Sequence, residues 1–170
     1  GGGGSDTLDF SSYGTTVTAT STGVGSGKVS GTPDPITYTG TSDYTNVESV
    51  ILGAGSGLVG PNQANTWDIT GVDAFTLNGT TYTGISTVTG GTLADTFTIE
   101  DGGQLTGSVA IDGGTGANEL ISVGNATWTV TGADAGTIAT TAGSTSFQNI
   151  QTLTGGAGND AFITAGGTLG

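Results

Sequence analysis

The side chains of this chain that can do chemistry are few. His and Cys are absent, Lys28 is the single basic side chain, and 14 carboxylates remain. Several of them, and one Asn, sit beside glycine corners. GGGGSD leads to Asp6, GGTLAD to Asp95, GGTGAN to Asn118 and GGAGND to Asp160. The oxygens of such residues either cap backbone N–H groups within a turn or act as ligands, and the spacing leaves both readings open. Trp67 and Trp128, each flanked by Thr, are a second candidate set: they pack in a core or stack on sugar rings. Asp9, Asp112 and Glu119 also border glycine corners. Acid–base or nucleophilic catalysis would need a positioned base or cation beside the carboxylates, and none is in sight, so the chain is not expected to be an enzyme.

These residues are positioned by short strands. The stretch FQNIQTLTGGAGNDAFIT (147–164) runs strand, glycine corner, strand. YTGISTVTGGTLADTFTI (82–99) carries the same design earlier in the chain, and YTNVESVILGAGS (44–56) is a looser copy. ANTWDITGVDAFTL (64–77) aligns with NATWTVTGADAGTI (125–138). Trp67 and Trp128 lie four positions closer together than Tyr82 and Phe147, so four residues are inserted between the Trp and the later aromatic, around 140–146. In TVT, TYT, TFT and TWTVT the apolar residue can face inward while Thr faces water. Further strands are expected at 8–10, 15–20 and 36–39. Gly and β-branched residues oppose helix throughout.

The recurrence predicts an all-β chain: a right-handed parallel β-helix, or β-solenoid, with about three rungs per repeat of roughly 60–65 residues. The double glycines at 90 and 113 suggest a coil of roughly 21–23 residues, and the nearly doubled step from 113 to 155 then reads as two coils. A divergent first repeat (1–61) would be followed by a second (62–112) and a third (113–170), continuous with one another and cut from a longer array. A β-sandwich is the competing architecture, which the recurring glycine corners disfavour.

Composition narrows the partners. A net charge of −13 with one basic residue repels nucleic acid and anionic headgroups. No run approaches the length of a membrane helix, so no membrane insertion is expected. Richness in Gly, Thr, Asn and Asp without Cys fits an extracellular protein of the bacterial cell surface.

Two resemblances sharpen this. GGAGNDAFI (155–163) and GGGGSDTLD (1–9) resemble the calcium-binding nonapeptide of repeats-in-toxin proteins. GGTGANELI (113–121) departs at Asn118, and GGTLADTFT (90–98) at Leu93. The resemblance implies calcium held by Asp6, Asp95, Asn118 and Asp160, with Asp95 and Asn118 one rung apart. The wider unit, from the tryptophan through the glycine corner to I-D-G-G, resembles the long repeats of filamentous-haemagglutinin-like and other large repetitive bacterial adhesins. It covers 62–170 well and 1–61 loosely. It implies a structural or adhesive fibre, including biofilm matrix, whose partners are stacked copies or neighbouring repeats and surface glycans. The alternatives are a calcium-binding β-roll module and an ice-binding Thr-rich solenoid.

Overall fold

A computed structural model describes residues 1–12, 15–31 and 41–170, so the strand expected at 36–39 lies outside the described residues. All regular structure among the described residues is β, in sixteen strands that join one curled, mostly parallel sheet.

Two columns of parallel strands form its body. In the first, β2 (Val17–Gly23), the later halves of β5 (Ser49–Val59) and β8 (Thr80–Gly91), β10 (Ile111–Gly114) and β14 (Ser144–Gln148) stack in order. Ala19, Leu58, Val88, Ile111 and Phe147 lie in register along it. In the second, β6 (Thr66–Gly71), β9 (Thr96–Ile99), β11 (Glu119–Ser122) and β15 (Thr152–Thr154) align Trp67, Phe97, Leu120 and Leu153. Shorter columns join β1 (Thr7–Asp9) to the early halves of β5 and β8, and β12 (Thr127–Gly132) to β16 (Ala161–Thr164).

Alternation within each strand explains these stacks. In β2, Val17 and Ala19 are buried while Thr18 is exposed, as the TVTAT pattern predicts. The inward residues of successive rungs touch, because parallel strands lie about 4.8 Å apart and like positions superpose. Trp67 lies 5.4 Å from Phe97 at an interplanar angle of 18°, and Trp128 lies 5.6 Å from Phe162 at 3°. These are the same contact in two repeats.

The structure departs from the expected uniform coil. Among the described residues three hairpin excursions are antiparallel: β2 with β3 (Ser26–Gly31) and β4 (Thr41–Tyr44), β6 with β7 (Ala74–Leu77) and β8, and β12 with β13 (Ala135–Ala139) and β14. Local turn chemistry produces them. Asn78 and Gly79 both have positive φ, 49° and 91°, the backbone of a two-residue hairpin turn. Asp73 and Asp134 occupy matching positions with φ 52° at the other end of the excursion. The four inserted residues lengthen the second copy of the Asn78-Gly79 turn. Leu77 pairs with Thr80, whereas the equivalent Ile138 pairs with Thr145.

Steps along the columns therefore vary. Asp95 to Asn118 is a step of 23, as expected for a plain rung, and Phe97 to Leu120 and Val88 to Ile111 keep that spacing. Asp112 to Gln148, paired on adjacent strands, is a single step of 36, because β12 and β13 are inserted into it. The segment between the corners at 113 and 155 thus contains a hairpin excursion rather than two plain coils.

Candidate functional site

The glycine corners form a repeated device. Asp6, Asn65, Asp95, Asn118 and Asp160 each follow a glycine by five residues: Gly1, Gly60, Gly90, Gly113 and Gly155. A Cβ on Gly155 would lie 2.5 Å from Asp160 Oδ2, and one on Gly113 would lie 2.6 Å from Asn118 Nδ2. On Gly90 it would strike both Asp95 Oδ2 and the Gly113 carbonyl. The glycine is therefore required by close approach: its missing side chain is where the folded-back Asp or Asn lies.

The side chains so placed tie rung to rung. The Asn65 N–H donates to Asp95 Oδ1 at 2.9 Å, the Asp95 N–H to Asn118 Oδ1 at 2.9 Å, and the Asn118 N–H to Gln151 Oε1 at 2.8 Å. Elsewhere the Ala126 N–H donates to Asp160 Oδ1 at 2.9 Å, and the Asp6 N–H to Glu48 Oε2 at 2.7 Å. Each bond satisfies an N–H at a corner; for the two buried ones, of Asn65 and Asp95, an unmade bond would cost about 1–3 kcal/mol.

Of the four residues named for calcium, the structure brings Asp95 and Asn118 together, one rung apart. Asp160 lies at the corner before β16, and Asp6 at the corner before β1. Asp95 and Asn118 are buried, and their Oδ1 atoms accept N–H groups. Asn118 Nδ2 donates to the Asn149 carbonyl at 3.0 Å. Among the described residues no three His, Cys, Asp or Glu side chains converge, whereas a calcium ion takes six to eight oxygens. The pair does not by itself form such a cage. Sequence reasoning missed Asn65, Gln151 and Glu48. The five-residue spacing from Gly60 could have found Asn65. Gln151 and Glu48 follow no such glycine and become visible only once the rungs are stacked.

Asp95 differs from its neighbours. Its Oδ1 also accepts Asn65 Nδ2 at 2.7 Å, but its Oδ2 is buried without a partner. The matching atoms of Asn65 and Asn118 are amide nitrogens that donate to carbonyls, of Gly90 at 3.3 Å and Asn149 at 3.0 Å. Burial pushes the Asp95 carboxyl above its ordinary value, only partly offset by the Asn65 donors. Asp112 is the opposite case. Despite its burial, Asn149 Nδ2, the Gly114 N–H and Gln148 Nε2 hold its carboxyl below the usual range.

The remaining candidates are structural in placement. Trp67 and Trp128 are both 0% exposed, so neither offers a ring face to a sugar. The outward Thr columns are interrupted. Thr66 and Thr96 are followed by Glu119, and Asp68 and Thr98 by Ile121. An open polar cleft of about 430 Å³ lies among Glu100, Asp101, Ser122, Asn125 and Thr140. Comparison with protein-family models, with curated proteins and with solved structures gave no match.

Proposed function

We propose that the chain is a structural repeat of a bacterial extracellular fibre or surface filament, built as a right-handed parallel β-solenoid and acting by stacking rather than by catalysis. The observation that carries this reading is the corner ladder Asn65–Asp95–Asn118–Gln151 beside the stacked column Trp67–Phe97–Leu120–Leu153. Side-chain chemistry that in an enzyme would face a cleft is here turned inward and used to join rungs. Such an array transmits load along the stack, because every rung is bonded to the next through backbone, corner side chains and core.

The adhesin-like repeat pattern and the acidic, cysteine-free composition agree with an exported surface role. The sugar-stacking and ice-binding readings lose their motivating residues to burial and to interrupted Thr columns. Antibodies raised against the chain should label the outside of intact cells of its source. Labelling seen only after permeabilisation would overturn the proposal.

A further inference from the structure

Of the strand edges left unpaired among the described residues, two are complementary. β16 pairs only with β12, and β1 only with β5. The Ala161 N–H and the Ala165 N–H donate to Ala126 and Val130 carbonyls of the β12 side at 2.9 and 2.8 Å. By alternation, the N–H groups of Asp160, Phe162 and Thr164 point away from β12. On β1, the Ser49 N–H donates to the Asp6 carbonyl at 3.2 Å and the Phe10 N–H to the Ile51 carbonyl at 2.7 Å. The N–H groups of Thr7 and Asp9 therefore point away from β5.

The molecule contains the template that joins such edges. β16 repeats β9, with Phe162 matching Phe97 and Asp160 matching Asp95. β1 repeats β11, with Leu8 matching Leu120 and Asp6 matching Asn118. Within the chain, β11 seats on β9 with Leu120 over Phe97, the Glu119 N–H donates to the Asp95 carbonyl at 2.9 Å, and the Asp95 N–H is capped by Asn118 Oδ1. Phe97 is thereby fully buried between Trp67 and Leu120, whereas Phe162, stacked on Trp128 alone, is 53% exposed. At the free edges the same groups are unused. Among the described residues the Asp160 N–H has no partner, and the Asp6 carboxylate accepts only the Gly2 N–H, at Oδ2.

We infer that a second copy of this chain stacks head to tail, seating its β1 on β16 in the register Thr7 on Ala161, Leu8 on Phe162 and Asp9 on Ile163. The Asp160 N–H then donates to Asp6 Oδ1 of the second copy, and the Thr7 N–H of that copy to the Asp160 carbonyl. The contact is heterologous, so it continues into filaments instead of closing as a dimer. It rests on the structural reading above and supplies that reading's partner. The joint differs from its template in one respect. The Asp6 and Asp160 carboxylates come to lie about one rung, ~4.8 Å, apart, where Asn118 within the chain is neutral. With a net charge of −13 per chain, assembly is therefore opposed at low ionic strength and promoted by screening.

Sedimentation velocity of the 16.3 kDa chain tests this. Wild-type mass should grow with concentration, and more so on raising salt from about 0.05 to about 0.5 M. Thr7→Pro and Thr164→Pro each remove one outward N–H and leave the inward ladder bonds in place. Each alone should remain monomeric with the wild-type far-UV circular dichroism. Mixed together they should form 1:1 dimers and nothing larger, since each variant retains one competent edge. Should Thr164→Pro lose its sheet signal, Ala161→Glu on the same exposed edge replaces it, adding a further carboxylate to the seam beside Asp6 and Asp160. A monomeric wild type at all concentrations and salts overturns the inference, as does continued association of Thr7→Pro alone. Neither result touches the labelling of intact cells, and unlabelled cells would overturn the surface role whatever the chain does in solution.

Discussion

Asp95→Asn should stabilise the protein at neutral pH. Asp95 is 1% exposed, its Oδ1 accepts two donors from Asn65, and its Oδ2 has none. In Asn65 and Asn118 the equivalent atom is a nitrogen donating to a carbonyl. The Gly113 carbonyl and Asp95 Oδ2 flank the same point beside Gly90, so an amide nitrogen there finds an acceptor. Relieving one buried, unpartnered oxygen contributes about 1–3 kcal/mol. For a chain of this size, each kcal/mol raises Tm by about 2–4 °C.

The pH dependence follows from the raised carboxyl. A group whose folded pKa lies above its unfolded value stabilises fully below the unfolded value, 3.8 for aspartate, and loses that contribution as pH rises through the folded value. Below 3.8 the protonated Asp95 donates as an amide does, and variant and wild type should converge. Above the folded value the gap should be constant and largest. Urea titrations followed by circular dichroism between about pH 3 and 8 read this difference directly. A variant no more stable than wild type at neutral pH, or a gap that does not change with pH, would refute the assignment.

Other expectations concern packing, corners and metal. Trp67→Ala should cost about 3–5 kcal/mol, since the ring is fully buried against Phe97 and Phe75. Trp67→Phe should cost clearly less, because the indole Nε1 it removes has no partner. Paired denaturant midpoints decide between them. Gly90→Ala should destabilise far more than Gly79→Ala. A Cβ at 90 strikes Asp95 Oδ2 and the Gly113 carbonyl, while at Gly79 it meets open space and only the positive φ of 91° opposes it. Asp112→Ala should lower stability at neutral pH, and by progressively less as pH falls below 3.8 towards the depressed carboxyl pKa, which a series of thermal melts from about pH 7 downwards would show. Far-UV circular dichroism in EDTA should be unchanged; loss of the β signal would favour the calcium module over the structural repeat.

The strand alternation, the four-residue insertion around 140–146 and the equivalence of Trp67 with Trp128 are written in the sequence, because side-chain direction in a strand has period two and repeats preserve it. The β character of the chain follows from the same local rules. Sequence also marked Asp6, Asp95, Asn118 and Asp160, since a glycine five residues ahead is a local feature. Their use was not local. Whether a corner oxygen meets a metal, a carbonyl or an N–H depends on which corner lies one rung above it. That step is 23 from Asp95 to Asn118, a plain rung, but 33 from Asn118 to Gln151, where a hairpin is inserted. So Asp95 and Asn118 are capping partners, while Asn65, Gln151 and Glu48 joined the same device unannounced. The glycine corner by itself determined that a side chain folds back over the turn. Only the stacking of rungs, set by loop lengths between distant residues, decided that the Asp95 Oδ2 is buried without a donor while the matching nitrogens of Asn65 and Asn118 reach carbonyls.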